Sequence, residues 1–398
     1  MSSHAFDEGG LEYCPFMPVF GAPQVMFERG SGTELWDTSG KRYLDFLCGI
    51  AVTSLGHSNP VVAQAIAEQA NTLLHVSNFF ANPVATRAAV QLVSMFEAAT
   101  GEQGQVFFCN SGAEANEAAL KLARKFGGRG RHGVVSAFGS FHGRTLAALA
   151  ATGQPAKHEP FQPMPDGFRH VPFNDLAALE AAIDPTIAAV LLEPVQGEGG
   201  VVPADPDYLR AVRALCDERG LLLMMDEVQT GFARTGEWFG FQHAGVVPDV
   251  VTLAKAMGNG FPVGALWAKR SVASVFQPGD HGSTYSGTAI ATAAVSAVID
   301  EMHRIDAPRL ARERGAELSA ALRSLPHVSE VRGAGLLLAI ELDGVDAKTV
   351  YLAALERGLV TNAVNATALR LAPPLTVSSA EIAEAVAILQ SVLQEVAP

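Results

Sequence analysis

A lysine stands among apolar residues and glycines in the segment VTLAKAMGNGFPVGA, at position 255. The segment follows an apolar run typical of a buried strand, so Lys255 is expected to be buried too. Burial disfavours the ammonium form, lowers the pKa and leaves a nucleophilic amine. The alternative is a lysine at a strand end whose long side chain reaches solvent. The residues favour, without requiring, a lysine that reacts covalently.

An aspartate, Asp226, follows five apolar residues in LLLMMDEVQTG. A carboxylate at the end of a buried strand needs a partner, because an unpaired buried charge is unfavourable. One suitable partner is the protonated ring nitrogen of a cofactor, which would remain an electron sink through this pairing. A salt bridge to a nearby arginine is the other possibility. The residues do not decide between the two.

The segment NSGAEANE, residues 110–117, follows an apolar run and begins a stripe of apolar residues at helical spacing. Ser111 and Glu114 have the spacing of a capping box. The free amide groups at such a helix start lie at the positive end of the helix dipole and suit a phosphate. An ordinary capped helix would have the same sequence, so the segment alone is a weak indication.

All three segments come at the carboxyl ends of predicted strands, where open α/β sheets bind ligands. A single cofactor with a phosphate, a basic ring nitrogen and an aldehyde would use all three. Uninterrupted apolar runs are typical of parallel strands that helices cover on both faces. The predicted strands are Val106–Cys109, Val134–Ala137, Ala188–Glu193, Leu221–Asp226 and Val250–Leu253.

Capping signals mark the helices. Asp205, Pro206 and Gly220 predict the start and the end of a helix between two of the strands. Ser378 and Glu381 form a capping box at the start of the last helix. Outside the core the pattern is less regular. We predict a large α/β domain over residues 55–290 and a smaller α+β domain built from residues 1–54 and 291–398.

Composition excludes several classes of protein. Of the 398 residues, 48% are hydrophobic and 17% charged, which is typical of a folded globular protein. The net charge of −13 argues against nucleic acid as a partner. The N-terminal segment contains Asp7 and Glu8 and lacks an apolar signal core, and no apolar run reaches membrane-spanning length, so we expect a cytoplasmic protein. The cysteines contain no CxxC pair and suit reduced thiols without a metal site. They are Cys14, Cys48, Cys109 and Cys216.

Across nearly its whole length, the chain resembles the class III aminotransferases. The resemblance implies the fold of type I pyridoxal-phosphate-dependent transferases, with a mostly parallel sheet between helices and a smaller second domain. It also implies pyridoxal 5′-phosphate as the cofactor. The segments that carry it, besides those quoted above, are LWDTSGKRYLDFLCGIAV (35–52), LGHSNP (55–60), FHGRTLA (141–147), EPVQGEGG (193–200), DEVQTGFARTG (226–236), HGSTYSG (281–287) and LRLAPPLTVS (369–378).

The resemblance assigns roles around the cofactor ring. Lys255 would attach the cofactor covalently and then carry the proton. Asp226 would pair with the ring nitrogen, while Phe141 and Val228 enclose the ring. Gln229 would reach its phenolic oxygen.

The phosphate and the subunit arrangement follow from the same resemblance. Ser111, Gly112 and Ala113 would hold the phosphate, with help from Thr284 of a neighbouring subunit. Ser283 would lie near the substrate. A shared site of this kind implies a homodimer.

Arg144 and Arg370 are candidates for carboxylate binding, because guanidinium groups bind carboxylates with two parallel hydrogen bonds. The resemblance implies that Arg144 binds the substrate α-carboxylate and that Arg370 binds the α-carboxylate of glutamate or 2-oxoglutarate. Glu198 would pair with Arg370 while an ω-amine substrate is bound. His142 is expected to be a structural hydrogen-bonding residue and not a base.

Within the class, the resemblance implies transfer of the terminal amine of N²-acetylornithine to 2-oxoglutarate, a step of arginine biosynthesis. Ile50 stands where the ornithine-type enzymes have a tyrosine for a free α-amine, and an apolar residue there suits an acylated α-amine. Phe20 replaces a common tyrosine, Asn259 a turn glycine, and SGTAIAT the usual GGNPLA.

Other functions stay open. The same chemistry could act on succinylornithine, 4-aminobutyrate or a carrier-bound lysine. An aminomutase such as glutamate-1-semialdehyde aminomutase would share the cofactor site but would need no second substrate. A cofactor-binding protein without turnover is the non-enzymatic alternative. Arg370 together with Glu198 argues for a dicarboxylate co-substrate and so against the aminomutase.

Overall fold

The computed structural model describes residues 16–21 and 23–396; Asp7, Glu8 and Cys14 lie outside these ranges. In the described residues, the strands are β1 Phe27–Ser31, β2 Glu34–Asp37, β3 Arg42–Asp45, β4 Gly104–Cys109, β5 Gly133–Ala137, β6 Phe168–Val171, β7 Ile187–Leu192, β8 Val195–Gln196, β9 Val202–Pro203, β10 Leu222–Asp226, β11 Val250–Leu253, β12 Gly264–Lys269, β13 Val328–Ala334, β14 Leu337–Leu342, β15 Leu359–Val360, β16 Asn362–Ala363 and β17 Ala368–Leu371.

The helices of the same residues are α1 Cys48–Ala51, α2 Pro60–Thr72, α3 Pro83–Thr100, α4 Gly112–Gly127, α5 Leu146–Ala151, α6 Pro155–His158, α7 Leu176–Ala182, α8 Pro206–Arg219, α9 Arg270–Ala273, α10 Ala289–Arg304, α11 Ala307–Leu322, α12 Ala347–Glu356 and α13 Ser379–Val396, with 3-10 turns at Glu159–Phe161, Gly240–Ala244 and Lys255–Gly258. None of these helices is both long and apolar enough to cross a lipid bilayer.

A seven-stranded sheet forms the centre, in the order β4-β12-β11-β10-β7-β5-β6. The pairs among β11, β10, β7, β5 and β6 are parallel, and β12 alone runs antiparallel to both of its neighbours. The predicted mostly parallel sheet is therefore confirmed. Because β12 reverses the direction, β4 runs parallel to β11, and the carboxyl ends of β4, β10 and β11 meet at one edge.

The predicted caps are present. Asp205 accepts hydrogen bonds from the first amides of α8, and Gly220 ends that helix with a φ of 62°. At α13 the box is reciprocal, with Glu381 N donating to Ser378 Oγ over 3.3 Å and Ser378 N donating to Glu381 Oε2 over 2.7 Å. Local sequence therefore fixes where these helices begin.

Segments from both ends of the chain share one sheet. Strand β15 pairs in parallel with β3, which extends the sheet β1-β2-β3-β15. A further sheet, β13-β14-β17-β16, is formed by the C-terminal part. The pairing supports a small domain built from both termini, while the boundaries at residues 54/55 and 290/291 stay a prediction.

Candidate active site

A cavity of about 400 Å³ lies at the sheet edge where β4, β10 and β11 end. It brings together residues that are far apart in the sequence and that the sequence had singled out. Ten of the predicted site residues line it, namely Ser111, Gly112, Ala113, Phe141, Arg144, Glu198, Asp226, Val228, Gln229 and Lys255.

Lys255 follows β11 and lies at the wall of this cavity. Loss of hydration lowers the pKa of its amine to about 8, and the positive charge of Arg370 acts in the same direction. The carboxylates of Glu198 and Asp226 oppose this shift but do not cancel it. The backbone of Lys255 has a φ of 48°, a region unfavourable for a residue with a side chain and typical of functional sites. The amine is thus prepared as a nucleophile and proton acceptor.

Asp226 ends β10 and is buried, with 4% of its surface exposed. Its Oδ2 receives hydrogen bonds from His142 Nδ1 over 2.7 Å and from Asn116 Nδ2 over 2.8 Å. Its Oδ1 accepts a hydrogen bond from the amide of Val228 over 3.1 Å. No arginine pairs with Asp226 in the described part of the chain, so the salt-bridge alternative is wrong. His142 is a hydrogen-bonding residue as expected, and that it does not act as a base stays a prediction.

The start of α4 lines the cavity with Ser111, Gly112 and Ala113. Ser111 Oγ accepts from Glu114 N over 3.2 Å, but the Glu114 carboxylate bonds the amide of Asn110 and not that of Ser111. The first-turn amides of Gly112 and Ala113 have no acceptor within the helix. A Cβ atom at Gly112 would lie 2.9 Å from both methyl groups of Val228. Glycine therefore lets the helix start approach the cavity wall.

Arg370, on β17, is only 1% exposed. Its Nη1 donates to Glu198 Oε1 over 2.6 Å and its Nη2 donates to Asn362 Oδ1 over 2.8 Å. Burial acts to raise the pKa of Glu198, but the charge and hydrogen bond of Arg370 together with the charges of Lys255 and Lys157 outweigh it, and the pKa is lowered. The predicted partnership of Glu198 and Arg370 is thus present in the structure.

Some predicted residues lie elsewhere. Thr284 is exposed, and Ser283 lies in a neighbouring cavity, connected to the site by a 3.4 Å contact between its Oγ and Asn110 Nδ2. Phe20 is 88% exposed. Ile50 lies in a left-handed turn with a φ of 69°, and the cavity wall there is lined by Val52 instead.

Sequence reasoning missed two residues, Asn116 and Glu193, and undervalued a third, Asn259. Asn116 fixes Asp226 and receives a 2.9 Å hydrogen bond from Thr252. Glu193 lines the cavity, and burial together with the nearby Asp226 charge raises its pKa. Both lie in quoted motifs, and helical spacing from Gly112 could have indicated Asn116. Asn259 has the positive φ expected of it, 46°, and its side chain also accepts from Leu55 N over 2.8 Å.

The comparisons with known proteins agree with this geometry. The sequence profile of the family Aminotransferase class-III matches residues 19–393. The chain belongs to the class III aminotransferases. The acetylornithine aminotransferase of Caldanaerobacter subterraneus is 47% identical over 390 residues, which cover 96% of this chain and 97% of the relative. The acetylornithine aminotransferase of Gloeobacter violaceus is 48% identical over 385 residues, covering 94% and 95%.

Solved structures of aminotransferases have the same fold. An ornithine aminotransferase from Toxoplasma gondii superposes with a TM-score of 0.90 at 32% identity, covering 95% of this chain and 92% of the other. The N-acetylornithine aminotransferase of Stenotrophomonas maltophilia gives a TM-score of 0.81 at 35% identity, with 94% and 97% covered. The predicted type I fold is confirmed, and the protein is a pyridoxal-phosphate-dependent transaminase.

The cavity fits this cofactor. Two buried polar atoms on its wall, Gln229 Oε1 and His142 Nε2, have no hydrogen-bond partner within the protein. Because no protein group holds the Gln229 oxygen, the side-chain amide can turn its Nε2 toward a ring oxygen of a bound cofactor. The free amides at Gly112, the buried Asp226 carboxylate and the Lys255 amine supply the donors and acceptors that a phosphate, a pyridine nitrogen and an aldehyde need.

Proposed function

We propose that this aminotransferase moves the terminal amine of N²-acetylornithine to 2-oxoglutarate, giving N-acetylglutamate 5-semialdehyde and glutamate, in arginine biosynthesis. The ion pair between buried Arg370 and Glu198, which lines the cavity, carries the proposal. The relatives named acetylornithine aminotransferase support the choice of donor.

Two chemically different substrates have to use one pocket. An ω-amine has no carboxylate next to its reacting carbon, so Glu198 can stay on Arg370 and neutralise it. When 2-oxoglutarate enters, its α-carboxylate takes the place of Glu198 on the guanidinium. The glutamate side chain has a third of its surface exposed, which leaves it room to move away. Arg144, at the exposed rim, binds the carboxylate at the far end of either substrate.

We assign the cofactor site residue by residue. Bound pyridoxal phosphate supplies an electron-withdrawing ring that stabilises negative charge at the substrate carbon. Lys255 would attach it covalently, and its Nζ would then accept the proton from that carbon and deliver it to the former aldehyde carbon of the cofactor. Asp226, oriented by His142 and Asn116, keeps the ring nitrogen protonated.

The remaining contacts hold the cofactor in place. Phe141 and Val228 enclose its ring, Gln229 donates to its phenolic oxygen, and Ser111, Gly112 and Ala113 bind its phosphate. The Ser111 hydroxyl also accepts the Glu114 amide, so it fixes the helix start that presents these amides.

A second copy of the chain completes the site in this proposal. Thr284 is exposed, and the face around it carries large apolar side chains: Phe79 is 92% exposed and Tyr285 is 59% exposed. Asn78 Nδ2 donates to Ser283 O over 3.3 Å, which connects the two segments into one surface. Burying this face in a homodimer would remove apolar surface from water and bring Thr284 to the phosphate of the other subunit.

A cytoplasmic location goes with this assignment, because the three described cysteines, Cys48, Cys109 and Cys216, are free buried thiols.

A panel of amino donors tests the choice of substrate. We expect kcat/KM for N²-acetylornithine to exceed those for succinylornithine, 4-aminobutyrate and ornithine by about tenfold or more, because one unfavourable group in a fitted pocket has an effect of that size. A smaller preference would contradict the proposal. Glutamate formed in a one-to-one ratio with the semialdehyde excludes the aminomutase, which consumes no 2-oxoglutarate.

Borohydride reduction of the protein with bound cofactor tests the attachment. Peptide mass mapping should find a single adduct, on Lys255. The variant Lys348→Ala, at an exposed lysine on α12, should give the same adduct, whereas Lys255→Ala should give none. An adduct at another lysine of the unaltered chain would contradict the assignment.

A further inference from the structure

A second cation lies at the rim of the cavity beside Arg144. Lys157, in the short helix α6, has its Nζ 5.6 Å from the centre of the Phe141 ring. The guanidinium carbon of Arg144 is 5.6 Å from the same ring. Arg144 and Phe141 both line the cavity, so the lysine lies beside a residue of the cavity wall, close enough for the charges of Arg144 and Glu198 to act on it. Nothing in the local sequence pattern selects Lys157.

The position of the Lys157 amine is fixed by neighbouring polar groups. The amine donates a hydrogen bond to Gln154 Oε1. Gln154 is itself held, because its Nε2 donates to the carbonyl oxygen of Ser140 over 2.8 Å. Ser140 directly precedes Phe141 in the chain. The lysine is therefore directed toward the rim by contacts with the loop that carries the ring, and does not extend freely into solvent.

The two cations lack a carboxylate partner of their own. In the part of the chain that the structure describes, neither Arg144 nor Lys157 forms an ion pair. Burial and the neighbouring Arg144 charge lower the pKa of Lys157, and only Glu198 opposes them. Glu198 is already bonded to Arg370. Two adjacent positive charges repel each other, and an anion bound between them would remove that repulsion.

We propose that Lys157 is a further substrate-binding residue, which together with Arg144 binds the carboxylate farthest from the reacting end of each substrate. For 2-oxoglutarate this is the γ-carboxylate. For the amino donor it is the α-carboxylate, and for both substrates the inference rests on the proposed function. A carboxylate has enough lone pairs to accept both a guanidinium and an ammonium donor. The rim is thereby selective for substrates with an anionic far end.

Two keto acids separate this role from a structural one. 2-Oxoglutarate has a distal carboxylate and pyruvate has none. In Lys157→Gln we expect kcat/KM for 2-oxoglutarate to fall about tenfold, mainly through KM, because 2-oxoglutarate loses a charged hydrogen bond. The kcat/KM for pyruvate should change less than about twofold, because pyruvate has no distal carboxylate that could lose such a bond. Lys157→Arg, which keeps the charge, should recover most of the loss. Lys348→Gln, at an exposed lysine on α12, serves as the matched control and should behave as the unaltered enzyme.

A binding measurement gives a second readout. Glutarate, a dicarboxylate that cannot react, is titrated calorimetrically into the enzyme with its cofactor bound. Its Kd should rise about tenfold in Lys157→Gln and much less in Lys157→Arg. Unchanged glutarate binding, or equal losses with pyruvate and 2-oxoglutarate, would overturn the proposal. If the donor panel shows that another amine is preferred, the proposed function fails, while these two acceptor tests still decide the role of Lys157.

Discussion

The guanidinium of Arg370 donates to the carboxylate of Glu198 over 2.6 Å, although 172 residues separate them in the chain. Arg370 is held on the other side by Asn362. Glu198 is therefore the more movable partner, and the ion pair can open on its side. An arginine that is neutralised in one half-reaction and free in the other allows one pocket to bind both an ω-amine and an α-keto acid.

Replacing Glu198 by alanine should shift the preference between donors. Arg370 is then free for the α-carboxylate of glutamate without an ion pair to break, whereas an ω-amine would face an unneutralised cation. We expect the ratio of kcat/KM for acetylornithine to that for glutamate to fall by about tenfold or more, since charged hydrogen bonds contribute about 1.5–3 kcal/mol. The control is Glu330→Gln, at an exposed glutamate on β13. A ratio that stays constant would show that Glu198 does not act on Arg370.

The cluster at Asp226 predicts a graded loss of activity. Asp226→Asn removes the charge that faces the ring nitrogen, and we expect kcat to fall by about a hundredfold or more. His142→Gln removes only one of the three donors that orient the carboxylate, so a loss of about tenfold is expected. Steady-state kinetics measure both effects, with Asp300→Asn, at an exposed aspartate, as the control. Equal losses in the first two variants would assign His142 a direct catalytic role.

Much of the fold could be predicted from local pattern. The buried strands are uninterrupted apolar runs, and β11 begins and ends at the predicted residues. Strand β12 was missed because its sequence, GALWAK, directly continues a glycine-rich turn and contains Gly and Ala, which have low strand propensity. Its antiparallel direction depends on how the chain crosses the sheet, which no local pattern reports.

The site could be predicted where its residues lie at strand ends. Lys255 and Asp226 stand out because a polar residue after an apolar run has a physical reason to be there. The position of Lys157 beside the cavity wall and the left-handed turn at Ile50 both depend on tertiary contacts. A positive φ in a β-branched residue is unfavourable, so nothing in the sequence around Ile50 indicates that Val52 forms the cavity wall.

Gln229 gives a prediction that separates binding from folding. Its Oε1 has no partner within the protein, so Gln229→Leu removes no hydrogen bond to that atom from the cofactor-free protein. We expect its free energy of unfolding without cofactor to change by less than about 1 kcal/mol. The Kd for pyridoxal phosphate should rise about tenfold, because a hydrogen bond to the ring oxygen is lost. Spectroscopic titration measures the Kd, and Gln64→Leu, at an exposed glutamine on α2, is the control. A large loss of stability with unchanged affinity would assign Gln229 to the fold alone.

The lowered pKa of Lys255 predicts how stability depends on pH. The pKa is about 8 in the folded chain and about 10.4 for an unperturbed lysine. Between these values the unfolded chain binds a proton that the folded chain does not, so the free energy of unfolding rises with pH through this window. The shift corresponds to up to about 3 kcal/mol, lost on going from pH 10.5 down to pH 8.

Lys255→Met cannot bind this proton and should lack this part of the pH dependence. Urea unfolding of both cofactor-free proteins at a series of pH values measures their free energies of unfolding. The difference between the two proteins cancels the contribution of the other titrating groups. As the pH falls from 10 to 8, we expect the free energy of unfolding of the methionine variant to rise relative to that of the unaltered protein. Below pH 8 the difference should level off. Parallel curves throughout would mean that the Lys255 amine has an ordinary pKa, and that the lysine reaches solvent.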